Sequence, residues 1–289
     1  MSRHWYFPQG TLRSLFAAAL MIIAAHAATA TATAAPKSEL WPRWTAHDPD
    51  SITVIDHGRW HRFLAAYLVA GDEGVNQMQY GLVGAAGRRE LNVYIESLTA
   101  IPISGYRRIE QLAYWVNLYN ALTVSVILGH YPVASILDIG ISPGWFTVGP
   151  WEKKLIVVEG QKLSLNDIEH RILRPIWRDP RVHYVVNCAS IGCPNLRRDA
   201  YTSATIEDKL TEAAKEYINN WRGVMFDDGV LYVSSIYKWF REDFGDTNAS
   251  VIAHLKIYAE PVLADRLSRV RDIGGHFYDW SLNDAQRPF

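Results

Sequence analysis

Residues 109–128 read Ile-Glu-Gln-Leu-Ala-Tyr-Trp-Val-Asn-Leu-Tyr-Asn-Ala-Leu-Thr-Val-Ser-Val-Ile-Leu, and this stretch decides the fold. Wound at about 100° per residue, it leaves no polar face, so the helix belongs inside the protein with other elements wrapped around it. It makes a poor membrane span, because Asn117 and Asn120 interrupt it and charges crowd its start. Three positions apart, the two asparagines share one side of the helix. A buried amide without partners costs about 1–3 kcal/mol, so each must be hydrogen-bonded to backbone, to a neighbouring group or to something bound.

On the amino-terminal side, residues 59–70 read as a helix closed by Gly71, and residues 88–99 as a second with Leu91, Tyr94, Ile95 and Leu98 at helical spacing. The acidic stretch from Asp72 to Asn76 between them reads as a solvated turn in preference to a cation-holding loop. Further back, Arg3 and Arg13, an apolar run from Leu15 and an Ala/Thr stretch up to Pro36 have the pattern of a secretory signal peptide, cleaved between Ala28 and Ala35. The expectation is a leader over residues 1–35 and a mature protein in the periplasm or outside the cell, with no stable membrane span. Loss of the two leader arginines leaves 27 basic against 30 acidic side chains, a formal charge of −3 with no attraction for nucleic acid. The remaining residues, 36–289, hold no repeat and no Pro/Gly/Ser-rich linker, which favours a single domain with a large core.

On the carboxyl-terminal side, Gly129-His-Tyr-Pro stops the long helix, and a loop from Gly140 to Pro150 carries Trp145 and Phe146, with Trp151 directly after it, as a rim or lid would. Leu155–Val158 reads as a strand, Glu159-Gly160 as a tight turn and Lys162–Ser164 as the return. Ser164 then starts a helix over 165–174. On its helical phase Glu169 falls inside the apolar arc, His170 at its margin, and Arg171 and Arg174 point outward. Residues 182–187 read as a strand with His183, Val185 and Asn187 on one face. Thr205 caps a helix to Trp221, residues 224–233 form a hairpin about an Asp-Gly turn, a helix runs from Ser234 or Ser235 to near Gly245, and Val251–Val270 adds helical cover. Many helices against few strands give an α+β class, a helix-rich domain packed on a small β-sheet.

Both cysteines of the chain, Cys188 and Cys193, follow the 182–187 run. In an exported protein they are either a disulfide or a reactive thiol with its neighbour. A thiolate site needs a nucleophile, a base and a group that orients the base. Cys188 at a strand end suits the first role, His170 the second, and an inward Glu169 the third. Glu169 is expected to meet Asn117, Asn120, Lys153 or Arg181, since a helix turns it away from its own neighbour His170. Asn117, Asn120, Asn187 and Cys193 would line the substrate side. A zinc set of Cys188, Cys193, His170 and His183 has unconvincing spacing, with His183 facing away from Cys188. No cofactor or metal is expected. A phosphate loop, a Gly-x-Ser-x-Gly elbow and a dinucleotide fingerprint do not occur.

The blocks Ala113-Tyr-Trp-Val-Asn-Leu-Tyr-Asn-Ala, Leu163-Ser-Leu-Asn-Asp-Ile-Glu-His-Arg-Ile-Leu-Arg, Asp179-Pro-Arg-Val-His-Tyr-Val-Val-Asn-Cys-Ala-Ser-Ile-Gly-Cys-Pro and Ile236-Tyr-Lys-Trp-Phe-Arg-Glu-Asp-Phe-Gly resemble the family known as domain of unknown function 547. The likeness runs from Trp60 to the terminal Tyr278-Asp-Trp-Ser-Leu-Asn-Asp. It implies matched positions at Asn117, Asn120, Glu169, His170, Asn187, Cys188 and Cys193, and brings no assigned activity. Two expectations stand side by side: a Cys-His hydrolase or acyl or amide transferase, and a non-catalytic binding or scaffold module with a Cys188–Cys193 bridge and the Trp145/Trp151 region against a partner. The substrate or protein partner is left open.

Overall fold

The computed structural model describes residues 36–144 and 147–286. The expected leader and the loop residues Trp145 and Phe146 lie outside the described residues. Helix α3, Arg108–His130, is buried from Glu110 to Val124 without a break, as its all-round apolar sequence requires. It is long and apolar enough to cross a membrane, but 89% of its most apolar window is covered by the protein itself. Helices α1, Gly58–Tyr67, and α2, Ala85–Thr99, pack to one side of it, and the core runs on from Trp44 and Trp60 through α3 to Leu282.

The strands gather in three small sheets among the described residues, where a single one was expected. β1, Leu68–Ala70, and β2, Asn76–Met78, form an antiparallel hairpin, so the first helix ends before Leu68 and the acidic stretch becomes the hairpin loop. β3, Ile156–Val158, pairs with β4, Gln161–Leu163, across Glu159 and Gly160, both at positive φ. β5, Val224–Asp227, pairs antiparallel with β6, Val230–Ser234, which pairs in parallel with β7, Gly275–Phe277. With these short sheets beside α3, the α+β class holds.

Two elements beside the cysteines differ from expectation. Residues 167–173 form a π-helix, Asp167–Leu173, that continues into the short helix α4, Arg174–Trp177. The Arg174 N–H bonds Glu169 O, five residues back. Pro175 accounts for the widening, because in an α-helix its ring would press on the carbonyl four residues earlier. The carbonyls of His170 and Arg171, freed from the helix ladder, accept instead from Glu39 N at 2.9 Å and Trp41 N at 3.0 Å. This helix is buried nearly all round, and Arg174, expected to point outward, is only 3% exposed.

The expected strand 182–187 is a 3-10 helix, Pro180–Tyr184, followed by irregular chain. Asp179 accepts from Arg181 N at 2.8 Å and Pro180 opens the turn, which together favour a helical start over extension. Among the described residues no strand lies beside residues 185–187. Asn120 does a strand's work, donating to Val185 O at 2.9 Å and accepting from Asn187 N at 2.8 Å.

Further on, α5, Ile206–Ile218, stops short of Trp221, and α6, Ile236–Trp239, gives way to a 3-10 turn, Arg241–Phe244, before Gly245. Helices α7, Asn248–Tyr258, and α8, Pro261–Ser268, are parted at Pro261. Beyond β7 the tail crosses the cysteine segment: Gly192 N bonds Asp279 O at 2.8 Å, Ile191 N bonds Ser281 O at 2.8 Å and Asn283 N bonds Ala189 O at 2.9 Å. Gly192 is required here, since a Cβ would stand 2.8 Å from Asp279 N.

Candidate functional site

The sulfur loop is held from below by amides. Asn187 donates to Pro194 O at 2.7 Å and accepts from Ala189 N at 2.8 Å, closing residues 187–194 on themselves. Arg222, buried at 2% exposure, reaches Cys193 O at 2.9 Å, and the Tyr217 hydroxyl donates to Gly192 O at 2.7 Å. Ala189 sits at φ 61°, in the left-handed region that costs a residue with a Cβ roughly 1–2 kcal/mol and persists only under such bracing. Within this frame Cys188 and Cys193 are joined by a disulfide. Cys193 is buried and Cys188 is half-buried.

The tail brings Tyr278 over the bridge. Its hydroxyl lies 3.1 Å from both sulfurs, and the Cys188 N–H points at Cys193 Sγ at 2.9 Å. Enclosure of that hydroxyl, with Tyr217 and Glu169 nearby, holds Tyr278 well above the ordinary phenol range, so it stays a proton donor. Its ring packs on Trp239 at 4.8 Å and Trp280 at 4.7 Å, and Trp280 meets Trp151 at 5.9 Å. All four aromatics are half-buried.

Behind this wall lies a second group. The Tyr119 hydroxyl, on the residue before Asn120 in α3, lies near the Glu169 carboxylate and the Trp151 indole; burial, reinforced by that carboxylate, raises it well above the ordinary range. Glu169 Oε1 is 3.9 Å from His183 Nδ1 and 4.0 Å from His170 Nδ1. His183 Nε2 meets Asp243 Oδ2 at 2.7 Å, and its ring stacks on Phe240 at 4.3 Å. Arg174 spans the group, giving Nε to Asp243 at 2.5 Å, Nη2 to Glu242 at 2.8 Å and Nη1 to His170 Nδ1 at 3.0 Å.

A guanidinium only donates, so His170 Nδ1 accepts and the ring is neutral with its proton on Nε2. Burial lowers His170 to about 4, with Arg174 and His183 adding to the fall and Glu169 opposing it. Burial alone would raise the Asp243 carboxyl, but the hydrogen bonds from His183 and Arg174 together outweigh it and hold the group at about 2.

The expected site residues thus fall into two neighbouring sets. Cys188, Cys193 and Asn187 share the loop, whereas Glu169 and His170 belong with His183, Asp243 and Arg174. Glu169 meets Tyr119 and the two imidazoles, not Asn117, Asn120, Lys153 or Arg181 as expected, because the chain widens at the π-helix and brings His183 across from it. Asn117 and Asn120 spend both ends of their amides on backbone: Asn117 donates to Tyr201 O at 2.7 Å and accepts from Tyr201 N at 3.0 Å, matching the clamp of Asn120 on 185 and 187. They brace the loops, and neither presents a free amide to a ligand. Among the described residues no group of three or more His, Cys, Asp or Glu side chains is arranged to hold a metal.

The sequence reading passed over Tyr119, Tyr278, Arg222, Phe240 and Asp243. Tyr119 stands between the two asparagines and was open to the same reasoning. Tyr278 and Asp243 gave no signal of their own, since only the folded chain brings the tail and the segment after α6 to this place.

Residues 103–218 match the family model described as Protein of unknown function, DUF547. The match is narrower than the Trp60-to-tail likeness and omits Trp239, Asp243, Tyr278 and Trp280. No curated protein and no solved structure matches the chain. Through the region holding α3, the π-helix, the sulfur loop and α5, the chain is similar to the DUF547 family.

Proposed function

We propose that this is an exported binding protein, carried across the membrane by its leader, whose single domain over residues 36–289 seats a polypeptide segment on Trp151, Trp239, Tyr278 and Trp280. The observation that carries this reading is the half-buried aromatic cluster on a rigid base. Tryptophan and tyrosine offer large apolar area at low entropic cost, each with a polar tip, and dominate the energetic centres of protein interfaces. The hydrolase reading needs a free Cys188 sulfur and a free His170 base. Cys188 Sγ is bonded to Cys193, and His170 Nδ1 is taken by Arg174.

Fluorescence anisotropy with a labelled library of extended apolar peptides tests the reading. The wild-type chain is expected to bind, and Trp239→Ala with Trp280→Ala to weaken binding at least tenfold, while Ile257→Ala at an exposed remote position leaves it unchanged. Equal binding by all three, or none by the wild type, overturns the reading. So does hydrolysis of ester or amide probes that disappears in Cys188→Ser.

A further inference from the structure

The environment of the bridge is asymmetric in a way that a passive staple does not need. Cys193 is 2% exposed while Cys188 is half-buried, so an incoming group reaches Cys188 Sγ first. The Cys188 N–H points at the other sulfur alone, at 2.9 Å, and the Tyr278 hydroxyl, 3.1 Å from both sulfurs, becomes a second donor to it once Cys188 Sγ is taken up in a new bond. Hydrogen bonds to a thiolate lower its pKa, and a low-pKa thiolate leaves faster in exchange. Arg222 on Cys193 O and Tyr217 on Gly192 O keep that sulfur in place once the bond is open.

We infer that the Cys188–Cys193 pair carries out thiol–disulfide exchange with a polypeptide that presents two thiols. One substrate thiolate attacks Cys188 Sγ, forming a substrate–Cys188 disulfide; the Cys188–Cys193 bond breaks and its electron pair goes to Cys193 Sγ, which leaves as a thiolate under the two donors. The second substrate thiolate attacks the substrate sulfur of the mixed disulfide and expels Cys188 as a thiolate. The substrate loses two electrons and becomes a disulfide, while the pair gains them and, with the two substrate protons, becomes a dithiol. Tyr278 acts as a positioning residue for the leaving sulfur. The choice of a polypeptide thiol rests on the binding reading above, whereas opening by a small thiol rests on the sulfur pair alone.

The experiment uses the full chain in glutathione buffers of graded ratio, quenched by alkylation and read by intact mass and peptide mapping. In Cys193→Ser, a single glutathione adduct is expected at Cys188. In the wild type the bridge should open at denaturant concentrations where far-ultraviolet circular dichroism is still native. Tyr278→Phe should slow opening about tenfold, and shift the pH profile of closure upward, while the melting temperature falls by no more than about 4 °C. A bridge that opens only along the global unfolding curve overturns exchange. A bridge that opens with glutathione but reacts no faster with an apolar peptide dithiol overturns the polypeptide assignment and leaves exchange standing.

Discussion

Two polar regions of this molecule neighbour each other where the Glu169 carboxylate acts on the Tyr278 hydroxyl, and they are built on different plans. In the imidazole–carboxylate cluster the partners come from within: Arg174 faces Asp243 and Glu242, the His183 ring lies against Asp243 and Glu169, and His170, taken by Arg174, is neutral. In the sulfur loop the bracing falls on backbone, from the amides of Asn120 and Asn187, the tail, the Tyr217 hydroxyl and the Arg222 guanidinium, with no carboxylate among them, and Cys188 is left half-buried. Perturbed titratable groups mark functional sites only in part, since internal ion pairs perturb them equally well. The first region holds the fold together, and the second is the one on which the proposed binding and exchange rest.

The largest effect expected of a single change lies in the first region. Arg174→Met removes the one guanidinium that joins His170, Asp243 and Glu242, and leaves Asp243 with its charge but one partner fewer. The loss should be about 3–5 kcal/mol in urea denaturation, nearly all of it from the Asp243 side, because the Glu242 carboxylate is half-exposed and screened. Asn120→Ala comes next: it orphans Val185 O and Asn187 N in a buried place and should cost about 2–3 kcal/mol, with faster opening of the bridge as the loop loosens. Tyr278→Phe should cost under about 1 kcal/mol, since sulfur is a weak acceptor, while still changing sulfur chemistry. A stability loss from Tyr278→Phe as large as that from Arg174→Met would erase the distinction between the two regions.

Acid sharpens the same contrast. His57, His170 and His254 are each lowered to about 4, burial being the leading cause in every case. The unfolded chain takes up these protons near pH 6.5 and the native chain only near 4, so stability is full above about 6.5 and declines as pH falls through that window. Below it, Asp243 withdraws its contribution between its ordinary value of 3.8 and about 2. Denaturation midpoints measured from pH 7 to 4 should fall steadily, and more shallowly in His170→Gln, whose side-chain oxygen can accept from Arg174 without titrating. A flat profile would contradict the neutral, buried assignment.

How much of this was legible in the sequence follows from the range of the interactions involved. The buried α3 was plain, because all-round apolarity is a local pattern, and so was the demand of Asn117 and Asn120 for partners. The identity of those partners was not, because Tyr201, Val185 and Asn187 come from distant chain. Glu169 was correctly read as inward, but its phase was computed for an α-helix, and Pro175 with the Glu39 and Trp41 contacts selected a π-helix instead. The segment 182–187 has the β-branched residues of a strand, yet Asp179-Pro180 set a helical turn and, among the described residues, no strand pairs with it. The sulfur loop was found because both cysteines lie in it. Its most telling neighbour, Tyr278, arrives from 85 positions beyond Cys193 and could be found only in the fold.

The claim that the sulfur loop works independently of the imidazole cluster is tested most directly by the pH dependence of iodoacetamide labelling of the reduced, folded protein, with Cys188 and Cys193 resolved by peptide mapping. Tyr278→Phe should move the Cys193 profile to higher pH, and His170→Gln should leave both cysteine profiles where they are in the wild type. A shift of the Cys188 profile in His170→Gln, with Tyr278→Phe behaving as wild type, would contradict the account and return His170 to the role of base.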